Sequence, residues 1–100
     1  MKLLDLFQAV KEENLTKSDL EKYRDALSSL YADMQIEIAD IEKAEALYFY
    51  KLTNPQTTDV SIKRTWRATP EGQRQILLNR YLKATEKVLS SLKSRIFSIY

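Results

Sequence analysis

The sequence predicts an all-α protein, folded as a long antiparallel helical hairpin with a short N-terminal helix. The first observation is that its 100 residues include one Gly and two Pro, which leaves little turn chemistry. The second is an apolar residue every seven positions, at Leu20, Leu27, Met34, Ile41 and Tyr48. The third is another amphipathic stretch of comparable length, residues 70–98, which follows a break that contains Pro55. We expect one helical domain over residues 1–100.

The first predicted helix covers residues 2–12, where apolar residues lie three and four positions apart. The second begins near residue 17. Thr16 and Asp19 have the spacing of a capping box, and Leu15 and Leu20 occupy the two positions of a hydrophobic staple.

The seven-residue pattern continues without a helix breaker, so the second predicted helix covers residues 17–52. Asn54 and Pro55 end it, because the residue before a proline disfavours helical geometry. A helix of this length needs a long partner to bury its apolar stripe.

That partner is a predicted helix at residues 70–98, preceded by a short helix at residues 60–67 for which Asp59 is a candidate cap. Thr69 and Pro70 form a strong helix start. Ile62 and Trp66, four apart, are expected to face inward, and Gly72 indicates close approach of another backbone or of Trp66. Since a two-helix hairpin leaves apolar surface bare, we expect the first helix and a second copy of the chain to cover it, which predicts a homodimer.

Composition argues against most catalytic chemistry. The chain has no Cys and no His, so it lacks thiolate chemistry and the commonest general base and metal ligand. We therefore expect no enzymatic activity, no cofactor and no metal. No run of about eighteen apolar residues occurs, and the first residues are too charged for a signal peptide, so we expect a cytoplasmic protein without a membrane span.

The charge is unevenly distributed. Residues 1–52 carry 7 basic and 11 acidic side chains, whereas residues 53–100 carry 9 and 3. Convergent basic side chains bind phosphates, and the candidates for nucleic-acid binding are Arg64, Arg67, Arg74, Arg80, Lys83 and Lys87. Two structural alternatives are open. The basic side chains either form a solvated helix face or pair with the acidic stripe Asp33, Glu37 and Asp40.

Four aromatic residues are candidates for binding a protein partner: Tyr48, Phe49, Tyr50 and Trp66. Three consecutive helical residues fan over roughly 200°, so one core face cannot accept all of Tyr48, Phe49 and Tyr50. Aromatic side chains left outside the core are good interface anchors. The alternative is a local cluster that closes the end of the hairpin.

The stretch AEALYFYKLTNPQTTDVSIKRTWRATPEGQRQI, followed by a helix ending LSSLKSRI, resembles small helical proteins of bacteriophage genomes. Those proteins have a long first helix, a polar connection and a basic second helix. The resemblance spans roughly residues 20–98 and implies a phage or mobile-element accessory protein that either handles nucleic acid or blocks a host-defence complex. The leading interpretation is a non-enzymatic protein that binds and modulates a protein partner, and the alternative is a nucleic-acid-binding accessory protein.

Overall fold

A computed structural model of the chain describes residues 2–99, and within them it contains four α-helices and no strand. The helices are α1 (Leu3–Ala9), α2 (Lys17–Leu52), α3 (Asp59–Ala68) and α4 (Pro70–Ile99). Helices α2 and α4 contact each other as a helical hairpin, which confirms the predicted fold class. None of the helices in this part of the chain combines the length and apolarity that a membrane span requires.

The chain divides into two compact units. The first unit comprises residues up to Asp33 together with residues from Leu82 onward, and the second is Met34–Tyr81. Both long helices contribute residues to each unit. In each unit a short helix packs with them, α1 in the first and α3 in the second.

The core of the first unit joins α1 to both long helices. Its buried side chains are Leu6, Val10, Leu20, Leu27, Leu92 and Ile96. Burying one such side chain contributes about 1.5–3 kcal/mol relative to leaving it exposed. Tyr31 of α2 donates a hydrogen bond to Glu86 of α4 over 2.6 Å and so connects the two long helices here.

Helix α1 ends at Ala9, three residues before the predicted end at residue 12. The carbonyl oxygens of Val10 and Glu12 accept hydrogen bonds from the guanidinium of Arg95, over 2.6 Å and 3.1 Å. These oxygens are thus satisfied by a distant side chain rather than by further helical turns. Turns continue to residue 12, because the Lys11 and Glu12 amides donate to the carbonyl oxygens of Gln8 and Ala9 over 3.2 Å and 3.3 Å.

The start of α2 has the predicted capping box. The Asp19 amide donates to Thr16 Oγ1, and the Thr16 amide donates to Asp19 Oδ2, each over 3.1 Å. Two amides that lack helical partners are thereby satisfied. Leu20 is buried and Leu15 packs against its cluster, as the staple predicts.

In the second unit the core consists of Met34, Ile38, Ile62, Trp66 and Leu78. Ile62 and Trp66 lie on one face of α3, as predicted. The cap of α3 is Thr58 and not Asp59, because Thr58 Oγ1 accepts the Ser61 amide over 3.1 Å. Asp59 lies in the first turn, where its charge favours the positive end of the helix dipole.

Candidate functional site

Two of the four predicted partner-binding aromatics, Tyr48 and Trp66, pack against each other within the second unit. Trp66 is only 3% exposed, and its ring centroid lies 5.3 Å from that of Tyr48, with the ring planes tilted by 59°. This tilted arrangement is one that aromatic pairs favour. Tyr48 and Trp66 therefore hold α2 and α3 together, and Trp66 has almost no surface to offer a partner.

Two successive hydrogen bonds also connect Trp66 to α4 and α2. Trp66 Nε1 donates to Gln75 Oε1 over 2.8 Å, and Gln75 Nε2 donates to Glu45 Oε1 over 3.1 Å. The two bonds run from α3 through α4 to α2. Because Gln75 accepts from the indole N–H and donates to Glu45 at the same time, these hydrogen bonds restrain the position of α3 on the hairpin.

An apolar groove lies between the last turns of α2 and the first turns of α3. Its volume is about 520 Å³, and it is lined by Glu42, Glu45, Ala46, Phe49, Asp59, Val60 and Lys63. We call it the α2–α3 groove. Ala46 and Phe49 contribute apolar surface from α2, and Val60 contributes it from α3.

Large exposed side chains adjoin the groove. Tyr50 is 83% exposed, Val60 is 69% exposed and Leu47 is 59% exposed. Tyr50 lies four positions from Ala46 and is its neighbour on the helix surface, whereas Leu47 lies roughly 100° around α2 from Ala46 and is turned away from the groove. Of the predicted residues, Phe49 is half-buried and lines the groove, and Tyr50 is exposed beside it.

Val60 and the acidic side chains of the groove were not predicted as site residues. The sequence carried a signal for Val60, which lies about 200° around α3 from the buried Ile62. A large apolar residue off the buried stripe of its helix indicates surface exposure.

The predicted nucleic-acid-binding side chains do not share one environment. Arg74 pairs with Glu37. The others are exposed and form no ion pair within residues 2–99: Arg64 and Arg67 on α3, and Arg80, Lys83 and Lys87 on α4. Of the predicted acidic stripe, only Glu37 is paired in this part of the chain.

The Glu37–Arg74 pair is bidentate. Arg74 Nε donates to Glu37 Oε2 over 2.6 Å, and Arg74 Nη2 donates to Glu37 Oε1 over 3.0 Å. These hydrogen bonds lower the pKa of Glu37 and raise the pKa of Arg74 from their ordinary values. Arg74 thereby stabilises the hairpin and has less freedom to bind a phosphate.

A second groove, of about 530 Å³, lies in the first unit. Its apolar lining includes Val10 and Leu92, which are buried members of the core cluster. Arg95 at its edge already donates to two backbone carbonyls. This groove is therefore lined in part by core residues of the first unit, and its arginine is already engaged by the backbone.

Comparisons of the chain with protein-family models, with curated proteins and with solved structures returned no match. Among residues 2–99, the acidic side chains form no group of three or more arranged to hold a metal ion.

Proposed function

We propose that this chain is a non-enzymatic helical protein that binds a protein partner through the α2–α3 groove and the adjoining Tyr50. The observation that carries the proposal is the exposure of two large apolar side chains, Tyr50 and Val60, at one groove. Exposing Tyr50 and Val60 to water is unfavourable, and contiguous apolar patches mark interaction surfaces. Tyr is also among the residues that dominate binding energy at interfaces.

The cellular setting is part of the same proposal, and its support is the sequence resemblance to small phage proteins. In a phage or mobile element, a cytoplasmic helical protein of this size would act by occupying a surface of a larger complex. It would serve as an inhibitor of a host-defence complex or as an adaptor. Binding of this kind needs no cofactor.

Affinity purification from the cells that naturally express the protein tests the proposal. Three tagged forms are compared: the parent chain, Val60→Lys and Ile36→Lys. Ile36 is a matched control, because it is 65% exposed on α2 and does not line the groove. Both substitutions replace an exposed β-branched residue and add the same charge, so we expect similar thermal midpoints for both.

We expect the parent chain and Ile36→Lys to retain the same partner, and Val60→Lys to retain at least about tenfold less, as removal of a central apolar contact predicts. Equal retention by all three forms, or retention of no partner by the parent, would contradict the proposal. Equal loss from both variants would contradict it as well, because the loss would then not depend on the groove.

Nucleic-acid binding is the second candidate function, and one observation favours it. Arg64 and Arg67 of α3 are exposed and unpaired within residues 2–99, so their charges are available. A labelled DNA or RNA duplex tests it. Nucleic-acid binding predicts an affinity that falls steeply with added salt and is lost on Arg64→Glu with Arg67→Glu. The protein-binding proposal predicts a Kd weaker than about 100 µM at physiological salt, the weak limit of non-specific binding.

A further inference from the structure

We infer that the α2–α3 groove accepts an amphipathic helix that carries Lys or Arg beside its apolar stripe. The inference rests on the proposed function and names the chemistry of the partner. It follows from two properties of the groove, its charge and the state of its backbone groups.

The charge of the groove is opposite to that of the whole chain. Glu42, Glu45 and Asp59 line it with Lys63, a local net charge of −2, whereas the chain carries +2. Glu42 and Asp59 are exposed and form no ion pair within residues 2–99. Glu45 accepts one hydrogen bond, from Gln75. A basic segment is therefore attracted to this groove rather than to the protein as a whole.

The backbone around the groove favours a helical occupant. The groove is lined by α2 and α3, whose interior N–H and C=O groups bond within their own helices. Residues 2–99 contain no strand, so they offer no free sheet edge to which an extended peptide could add. A helix satisfies its own backbone groups and needs only apolar contact, so it fits a groove that offers side chains alone.

The apolar surface has the spacing that a helix can match. Ala46 and Phe49 lie on one stripe of α2, and Ala46 is small enough to let a second helix approach closely. Val60 faces the same groove from α3. A partner helix with apolar residues at i, i+3 or i+4, and i+7 would place them along this stripe, with its flanking basic side chains beside Glu42 and Asp59.

A displayed peptide library tests the inference. The probe is a 16-residue helical peptide with Leu at i, i+4, i+7 and i+11, and with four flanking positions randomised among Lys, Glu and Gln. The library is selected on the parent chain and counter-selected on Val60→Lys. The selected pool is then measured on Glu42→Lys and on the control Asp40→Lys, which makes the same charge change on α2 outside the groove.

We expect Lys at the flanking positions, and a Kd roughly five-fold weaker on Glu42→Lys but unchanged on Asp40→Lys. The inference is overturned if the pool carries Glu or Gln, if nothing is enriched above Val60→Lys, or if Asp40→Lys weakens binding equally. If the inference of a basic helix fails but the proposed function holds, Val60→Lys still retains less of the natural partner in the affinity purification. If the proposed function fails, Val60→Lys retains as much of that partner as the parent chain does, whatever peptides the library returns.

Discussion

Gly72 of α4 lies against the carbonyl group of Trp66 at the end of α3. A Cβ atom on Gly72 would overlap the Trp66 carbonyl oxygen and lie within 2.8 Å of the carbonyl carbon. The same oxygen accepts hydrogen bonds from the Thr69 amide, over 3.0 Å, and from the Thr69 hydroxyl, over 2.6 Å. The Thr69 hydroxyl oxygen in turn accepts the Gly72 amide over 3.0 Å. This close approach fixes the turn that joins α3 to α4, and with it one wall of the α2–α3 groove.

Gly72→Ala tests this contact. In most helices a change from Gly to Ala stabilises by about 0.5–1 kcal/mol. Here the added methyl group meets backbone that cannot rotate away, so we expect destabilisation by about 1–3 kcal/mol, as overpacking produces. Urea denaturation followed by circular dichroism measures it. Ser90→Ala, at an exposed position of α4, is the control and should change stability by less than about 0.5 kcal/mol. An unchanged or higher stability of Gly72→Ala would contradict the contact.

Trp66→Phe tests the core of the second unit. The smaller ring leaves a gap beside Tyr48 and removes the N–H that Gln75 accepts, so we expect a loss of about 1–3 kcal/mol. The matched control is Tyr50→Phe on the exposed aromatic, where the expected change is below about 0.5 kcal/mol. Equal stabilities of the two variants in urea would show that Trp66 is not a core residue.

The Glu37–Arg74 pair predicts a pH dependence. Because the pKa of Glu37 is lowered in the folded protein, its stabilising effect is present above the ordinary value of 4.5 and is lost as pH falls through the lowered pKa. The side chains of Arg74 and Glu37 are 46% and 42% exposed, so solvent screening limits the effect to about 0.2–1 kcal/mol. Glu37→Gln should therefore be less stable than the parent at neutral pH and equally stable at about pH 2.

Urea midpoints at the two pH values measure this difference. Asp40→Asn serves as the control, since Asp40 is exposed and forms no ion pair within residues 2–99. If Glu37→Gln is still less stable than the parent at about pH 2, the ion pair is not the cause of the difference and the prediction is contradicted.

Homodimerisation stays a prediction from the sequence. Its physical basis was apolar surface left bare by a two-helix hairpin, and α1 and α3 each cover part of that surface within their units. Light scattering at micromolar concentration should return twice the 11.7 kDa mass of one chain, and a mass of 11.7 kDa would contradict the dimer. We expect Val60→Lys to remain dimeric. Its dissociation would mean that a second copy occupies the α2–α3 groove, which would overturn the inference of a basic partner helix.

The fold was largely predictable because its signals are local. The uninterrupted stripe predicted α2 over residues 17–52, and the Thr16 and Thr69 caps marked two helix starts. The hydrogen bonds from Arg95 to the Val10 and Glu12 carbonyls were not predictable, because Arg95 lies more than eighty positions away. The choice of Thr58 over Asp59 as the α3 cap was also missed, since both are good caps and neighbouring positions compete.

The candidate site was predictable only in part. Periodicity indicated that Tyr48, Phe49 and Tyr50 point in different directions, but not which of them pack against α3. Trp66 was named both as an inward-facing residue and as a partner anchor, and the structure places it in the core. The pairing of Glu37 with Arg74, rather than with Arg80, depends on the register of α2 against α4, which spacing within one helix does not define.

Site-specific photo-cross-linking in the native cell tests the central claim most directly. The photoreactive residue p-benzoyl-phenylalanine is placed at position 60 in one form of the protein and at position 36 in another. We predict a single protein adduct from position 60 and none from position 36, because only Val60 lines the groove. No adduct from position 60, or the same adduct from both positions, would contradict partner binding at the α2–α3 groove.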